Sequence, residues 1–146
     1  GAATPWHQDQ AYHDPTMCQR GVNFWLPLDD ADVESGCLHF VPGSHKLDVL
    51  PHHPINNDPR IHGLEVDHPE RWEKEAVACP IPAGGATLHA SYMLHSAKAN
   101  SSSRPRRVYI LTFRLPAQKR AVPIDNYWKR TQQTARAARA QQSTAD

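Results

Sequence analysis

The sequence lacks long apolar runs and paired cysteines. None of its apolar stretches approaches the ~20 residues that a membrane-spanning helix needs. Cys18, Cys37 and Cys79 are odd in number, widely spaced and without a CxxC pair, which argues against a disulfide framework and against a zinc site. We therefore expect reduced, buried thiols in a cytoplasmic protein without a membrane partner.

Signals for long helices are also scarce. The 13 prolines are about twice the average usage of roughly 5% and are spread along the chain. Short runs of alternating apolar residues instead predict seven strands, of which Gly21 to Leu28 is the clearest. One face of that strand is apolar and is expected to pack on a core, while the other carries Asn23 and Trp25 and is expected to face a pocket. This spacing predicts an all-β barrel or sandwich in one domain.

Two segments carry little strand pattern. Residues 46–62 contain three prolines and the Asn56-Asn57-Asp58 cluster, which is typical of a loop or lid. The tail from Ile124 to Asp146 is rich in Ala, Gln and Arg without a strong apolar stripe, and it is predicted to be a solvated or frayed helix. We assign residues 1–120 to the barrel and residues 121–146 to a helical or disordered tail.

The net charge of +1 hides an uneven distribution. Residues 1–75 contain 13 acids and 5 bases, whereas residues 76–146 contain 2 acids and 11 bases. Such a split can indicate a nucleic-acid arm, but the basic residues form no patch with interleaved aromatics. If the two halves interdigitate in one barrel, these charges face one another, so we expect no nucleic-acid partner. The acidic loop at residues 29–34 is either the rim of a site or plain surface.

His7 and Asp9 offer an imidazole and a carboxylate two residues apart. In an extended backbone the side chains alternate between faces, so these two project from the same face. Such a pair suits a divalent metal that accepts nitrogen and oxygen ligands. The HxD pattern alone is a weak indication of a metal, and a third ligand is needed.

Ten histidines compete for that role, and most have a simpler explanation. His45 closes a Pro-Gly-Ser turn. Four others lie in loop sequence and are expected to be solvated: His52, His53, His62 and His68. His89 and His95 are different, because each lies well downstream, near the end of a strand–turn element. Two histidines and one aspartate, with open positions on the metal, form the facial triad of non-haem Fe(II) oxygenases.

An ordered series of motifs carries a family resemblance. It comprises Thr4-Pro5-Trp6-His7-Gln8-Asp9, a strand with Trp25 that ends in Leu28-Asp29-Asp30, the segment GCLHFVPGSHK at residues 36–46, and His95 followed by Asn100-Ser101 and Arg106. This series resembles the phytanoyl-CoA dioxygenase family, which are Fe(II)- and 2-oxoglutarate-dependent oxygenases on a double-stranded β-helix, a cupin-like jelly-roll barrel. The resemblance covers about Thr4 to Leu115. It implies the same barrel, with Fe(II), 2-oxoglutarate and O2 as cofactor and co-substrates.

The resemblance assigns His7, Asp9 and His95 to the iron. It assigns Arg106 to the far carboxylate of 2-oxoglutarate, which a guanidinium can grip through two parallel hydrogen bonds. Related halogenating enzymes replace the carboxylate ligand with a small residue. The retained Asp9 therefore favours hydroxylation over halogenation.

Arg106 begins a strand in which it shares a face with Val108 and Ile110, so it can point into the barrel. Its neighbours Arg104 and Arg107 are expected to lie outside as solvated charges.

Further residues are implied at the co-substrate pocket. Gln8 and Trp25 match positions that line it in the family. Many relatives carry a hydroxyl residue two places after the distal histidine, where this sequence has Ala97, and Ser96 is the candidate to replace it. Family members also carry a substantial region before the HxD motif. We therefore expect the sequence to be a fragment of a longer protein or a truncated member.

The implied reaction is hydroxylation of a small organic substrate, coupled to the decarboxylation of 2-oxoglutarate to succinate and CO2. Two alternatives stay open: a cupin-like metal-binding module without turnover, and a cupin-type metalloenzyme that does not use 2-oxoglutarate. Arg106 argues against the second alternative, and the intact set of three ligands argues against the first. The sequence specifies neither the substrate nor the oligomeric state.

Overall fold

The computed structural model describes residues 1–135, which form eleven strands and two short α-helices. The strands are β1 (Thr4–His7), β2 (Met17–Cys18), β3 (Gly21–Pro27), β4 (Leu38–Phe40), β5 (His52–Pro54), β6 (Leu64–Val66), β7 (Val77–Cys79), β8 (Thr87–Ala90), β9 (His95–Ala97), β10 (Val108–Arg114) and β11 (Gln118–Lys119). The helices are α1 (Glu70–Glu73) and α2 (Tyr127–Thr131). Neither helix has the length and apolar composition to cross a lipid bilayer.

Two antiparallel sheets flank a cavity. The larger sheet has the strand order β1-β9-β4-β7, and the smaller has the order β10-β3-β8. Neighbours in each sheet are distant in sequence, as in β1 beside β9, so loops cross between the sheets as in a jelly-roll. Two small pairs, β11-β2 and β5-β6, extend the structure. The all-β prediction is confirmed.

The β10-β3-β8 sheet has two distinct faces, because cross-strand partners project from the same side. Its inner face lines the cavity and includes Asn23 with its partner His89, and Trp25 with its partner Ile110. We call the opposite side the outer face. Its residues, paired across the strands, are Val22, Phe24, Leu26, Leu88, Ala90, Tyr109, Leu111 and Phe113.

The outer face differs from the sequence prediction. The pocket-facing side was expected and is found, with Asn23 and Trp25 both buried. The apolar side was expected to pack on a core, yet among residues 1–135 it stays largely uncovered. Leu88, Tyr109 and Phe113 are 56%, 59% and 57% exposed. The apolar alternation alone could not distinguish a face that packs on this chain from one that does not.

The segment predicted as a loop also contains ordered structure. Within it, β5 pairs antiparallel with β6, where His52 lies opposite Val66. His52 was expected to be solvated but is fully buried. Its Nδ1 lies 2.7 Å from the Leu50 carbonyl oxygen, and its Nε2 accepts the backbone N–H of Gln8 at 3.2 Å. Burial lowers the pKa of His52 to about 4, so the ring is neutral at physiological pH.

The beginning of the tail packs into the barrel rather than into solvent. Trp128, in α2, is 1% exposed and joins Ala11 and Leu64 in a buried cluster. Its indole N–H donates to the Ala11 carbonyl at 3.2 Å. The prediction of a solvated tail is therefore wrong at this residue. The part of the tail prediction that concerns residues 136–146 lies outside the described residues.

Exposed ion pairs join the acidic and basic halves of the sequence. Arg107 donates to both carboxylate oxygens of Asp29, at 3.0 and 2.7 Å, and Arg104 pairs with Asp32. The hydrogen bonds from Arg107 lower the pKa of Asp29 to about 2. Arg104 and Arg107 thus lie outside the cavity as predicted. The acidic loop faces basic residues of the same barrel, as expected if the halves interdigitate.

Candidate metal centre

Strand pairing places two histidines side by side. His7 at the end of β1 is the cross-strand partner of His95 at the start of β9, and their ring centroids are 4.2 Å apart. Both rings are buried. The chain then leaves β1 for a single 3-10 turn that begins at Asp9, which brings Oδ1 of the carboxylate to 3.5 Å from His7 Nε2. A turn, rather than the extended strand assumed from the sequence, thus positions Asp9.

These three side chains form a compact ligand set. One potential ligand atom from each of His7, Asp9 and His95 lies within 4.8 Å of the other two. His7 Nδ1 lies 2.9 Å from the Pro5 carbonyl oxygen, and His95 Nδ1 lies 2.9 Å from that of Met93. Such a bond from Nδ1–H fixes the ring and leaves Nε2 free to bind a metal. The donor set, two imidazole nitrogens and one carboxylate, fits a divalent iron site.

The protonation states at this set also favour metal binding. Burial alone would raise the pKa of Asp9, but its interactions with His7 and His89 outweigh burial and hold the pKa well below the usual range. Burial, reinforced by the neighbouring His7, lowers the pKa of His95 to about 3. At neutral pH the site therefore presents a carboxylate and a neutral imidazole, which are the forms that coordinate metals.

The ligand set opens into a cavity of about 430 Å³ between the two sheets. Apolar side chains on both sheets contribute much of its wall. Its lining comprises Thr4, His7, Asp9, Asn23, Trp25, Leu38, His89, His95, Ala97, Arg106, Val108 and Ile110. The cavity therefore brings together all three predicted ligands with Arg106 and Trp25.

The guanidinium of Arg106 is held by backbone carbonyls. Nη1 donates to Gly36 at 2.5 Å and to Lys98 at 2.9 Å, and Nη2 donates to Ala2 at 3.2 Å. Gly36 has a φ of +88°, and a Cβ there would collide with Arg106 Nη1 and the Lys98 carbonyl. An arginine has five N–H donors, so a guanidinium fixed in this way retains donors for a carboxylate.

Gln8 and Ser96, also predicted at the co-substrate pocket, lie elsewhere. The Gln8 side chain is fully buried, donates to the Tyr92 carbonyl at 2.8 Å and accepts the Leu50 N–H at 2.8 Å. Gln8 thus ties loops together behind the site. Ser96 sits between His95 and Ala97 on β9, so its side chain projects away from the cavity that both neighbours line. Ser96 therefore does not replace the hydroxyl that is missing at Ala97.

Two further polar residues, Asn23 and His89, lie at the cavity beside Asp9. Asn23 on β3 donates an amide N–H to Asp9 Oδ2, and His89 Nε2 on β8 lies 3.6 Å from the same oxygen. The alternation of β3 already placed Asn23 on the pocket side. His89 was a candidate third ligand, but it falls outside the group of ligand atoms within 4.8 Å of one another.

One known protein family matches most of this chain. The sequence profile of the phytanoyl-CoA dioxygenase (PhyH) family matches residues 1–108. This chain belongs to the phytanoyl-CoA dioxygenase family. Among curated relatives, phytanoyl-CoA dioxygenase domain-containing protein 1 of Danio rerio is 32% identical over 133 residues, covering 88% of this chain and 44% of the relative. A probable alpha-ketoglutarate-dependent hypophosphite dioxygenase of Stutzerimonas stutzeri is 27% identical over 118 residues, covering 77% of this chain and 40% of that protein.

Solved structures confirm the predicted jelly-roll fold of the family. EvdO2 from Micromonospora carbonacea var. aurantiaca superposes with a TM-score of 0.82 at 48% identity, covering 88% of this chain and 51% of EvdO2. EvdO2 has also been solved in complex with 2-oxoglutarate. The chain thus spans about half the length of these family members.

Proposed function

We propose that this chain carries the metal and co-substrate site of an Fe(II)- and 2-oxoglutarate-dependent dioxygenase that hydroxylates a small organic molecule, with release of succinate and CO2. The observation that carries the proposal is the meeting of His7, Asp9, His95 and Arg106 at one cavity. Family membership and the 2-oxoglutarate complex of EvdO2 support it. No feature of the cavity specifies the substrate.

In this proposal, His7, Asp9 and His95 hold the iron and leave positions open beside it. The Nδ1 bonds of the two histidines orient the rings before the metal arrives. Bound Fe(II) would let O2 oxidise 2-oxoglutarate to succinate and CO2 and a C–H bond of the substrate to an alcohol, with one oxygen atom going to each product. The protein's own contribution is to bind, to orient and to exclude water.

Arg106 is proposed to receive the distal carboxylate of 2-oxoglutarate. A dianionic co-substrate needs a fixed cation, and the backbone carbonyls that hold the guanidinium fix it before binding. Trp25, Leu38 and Val108 contribute apolar wall to the cavity, which limits the access of water to the co-substrate.

The test is anaerobic addition of Fe(II) and 2-oxoglutarate, followed through the weak visible charge-transfer band of the chelate. The band is expected in the wild-type protein and is expected to be lost in His95→Ala. His39→Ala is the matched control, since His39 is also a buried histidine of the β1-β9-β4-β7 sheet but does not line the cavity. A folded wild-type protein without the band, or a band unchanged in His95→Ala, would contradict the site.

Turnover needs a second measurement. Oxygen-dependent release of succinate is expected from an active dioxygenase. A chain that forms the chelate but releases no succinate would instead be a metal-binding module without turnover, which is the alternative function for a chain that spans about half the length of its relatives.

A further inference from the structure

The two oxygens of the Asp9 carboxylate have different surroundings. Oδ1 faces the ligand set, 3.5 Å from His7 Nε2. Oδ2 accepts a hydrogen bond from the Asn23 amide and lies 3.6 Å from His89 Nε2. One oxygen is therefore directed to the metal position, and the other is engaged by the protein.

The residues that engage Oδ2 form a structural pair. Asn23 on β3 and His89 on β8 are direct cross-strand partners, and both are buried on the inner face. Asp9 follows β1, in the opposite sheet. The contact of Asp9 with Asn23 and His89 therefore joins a candidate metal ligand that follows β1 to a polar pair on the opposite sheet. The position of the Asp9 carboxylate thus depends on both walls of the cavity.

This polar pair is not explained by folding stability. Asn23 Oδ1 and His89 Nδ1 are both buried without a hydrogen-bond partner among the described residues. A buried polar atom without a partner destabilises the folded state, and an apolar pair of similar shape would avoid that penalty. The contact to Asp9 is the feature that an apolar pair could not reproduce.

We propose that Asn23, supported by His89, is a positioning residue that holds Oδ2 of Asp9, so that the carboxylate gives the metal Oδ1 alone. The inference rests on the proposed function and adds to it. A facial triad leaves three positions of an octahedral metal open, enough for a chelating 2-oxoglutarate and O2. A carboxylate that bound through both oxygens would occupy one of these positions and compete with the co-substrate.

The experiment compares metal affinity with 2-oxoglutarate affinity in wild type and Asn23→Ala. Co(II) serves as the metal probe, because its visible d–d bands respond to the number and arrangement of ligands. In Asn23→Ala we expect altered d–d bands and 2-oxoglutarate affinity lower by about 10-fold, which is the low end of the losses of metal affinity or activity seen when residues that orient metal ligands are replaced. Co(II) affinity is expected to change by a smaller factor, because the released carboxylate can add its second oxygen.

Three variants separate positioning from general damage. Asn126→Ala is the matched control, since Asn126 is also buried, its amide oxygen has no partner within residues 1–135, and it lies outside the cavity lining. It is expected to leave both affinities unchanged. His89→Leu is expected to weaken 2-oxoglutarate binding, and His89→Gln, which retains an N–H donor, is expected to weaken it less.

The outcomes distinguish this inference from the proposed function. Wild-type protein that binds Co(II) but not 2-oxoglutarate would contradict the proposed function, and the d–d bands of Asn23→Ala would then decide the inference alone. Unchanged bands and unchanged 2-oxoglutarate affinity in Asn23→Ala would overturn the inference and leave the function intact. An equal loss of both affinities would also overturn it, because that pattern indicates a general disruption of the site.

Discussion

The two faces of the β10-β3-β8 sheet reverse the usual distribution of side chains. The inner face lines the cavity, and its polar residues Asn23 and His89 are buried, although Ile110 on the same face is 58% exposed. The outer face is apolar, yet Leu88 and Phe113 are more than half exposed. A sheet with one solvated face normally turns its apolar side inward and its polar side outward.

The difference between the two faces shows that the polar inner residues contribute to the candidate site, whereas the apolar outer residues contribute little to the stability of residues 1–135. Polar groups are kept on the inner face despite the energetic penalty of burial, because they meet Asp9 and the cavity. Apolar groups on the outer face bury little area within residues 1–135 and so stabilise this part of the chain only weakly. Exposed apolar surface of this kind is typical of contact surfaces.

The largest expected effect is on 2-oxoglutarate affinity, and it distinguishes two neighbouring arginines: Arg106 at the cavity and Arg107 outside it. Arg106→Ala is expected to lower 2-oxoglutarate affinity on the order of 100-fold, because it removes the cation opposite a carboxylate. Arg107→Ala removes only an exposed ion pair with Asp29 and is expected to leave that affinity unchanged. Titration of 2-oxoglutarate into the anaerobic Fe(II) protein measures both. An equal loss of 2-oxoglutarate affinity in the two variants would contradict the proposal that Arg106, and not Arg107, binds the co-substrate.

A buried histidine away from the cavity lining gives a prediction about pH, because burial is the largest cause of its lowered pKa. The pKa of His52 is lowered from 6.5 to about 4, so between these values the unfolded chain binds more protons than the folded protein. The contribution of the neutral His52 ring to the free energy of unfolding is therefore fully present above pH 6.5. It is lost as the pH falls toward 4, which lowers that free energy by up to about 3 kcal/mol.

The measurement is the free energy of unfolding by denaturant titration, compared between wild type and His52→Gln across this pH range. The variant lacks the titrating ring, so the stability difference between the two proteins should shrink as the pH falls. A difference that is independent of pH would mean that His52 is not buried as a neutral ring.

Substitution of Gly36, which lies beside Arg106, tests how rigidly the Arg106 guanidinium is held. Gly36 and Gly43 both have positive φ, +88° and +82°, but only at Gly36 would a Cβ meet Arg106. Alanine at either position should cost about 1 kcal/mol of stability for the backbone conformation. Gly36→Ala should lose more stability than Gly43→Ala. It should also weaken 2-oxoglutarate binding by about tenfold, because the Arg106 guanidinium is displaced. Gly43→Ala with the same loss of binding would contradict this explanation.

The sequence was informative where the chemistry follows motif spacing. His7, Asp9 and His95 were predicted as a set, and they meet at one cavity with Arg106. Their roles in binding iron and 2-oxoglutarate stay predictions. The alternation of β3 also predicted which side of the strand would face a pocket. The ligand set came from the resemblance to the family, since a turn, and not the extended strand assumed from the sequence, positions Asp9. The inference about β3 succeeded because the face on which a strand side chain lies depends on local backbone geometry, which the sequence reveals.

Ser96 was chosen for its hydroxyl, although the local alternation of β9 turns its side chain away from the cavity. Features that depend on distant packing were also missed. His52 and Trp128 lie in polar, proline-rich or charged segments, and their burial arises from contacts with residues far along the chain. Composition identifies such segments as loop or tail, because a single buried side chain leaves no periodic pattern.

The smallest expected effect concerns the outer face itself. Leu88 lies next to His89 on β8 but projects to the opposite side, where it is 56% exposed. Leu88→Ser should change the free energy of unfolding by less than about 1 kcal/mol and should leave Co(II) and 2-oxoglutarate affinities unchanged. Denaturant titration measures the first effect, and titration of Co(II) and 2-oxoglutarate measures the second. A stability loss of more than about 2 kcal/mol, the range of core truncations, would mean that the outer face is covered in solution and that the contrast between the two faces fails.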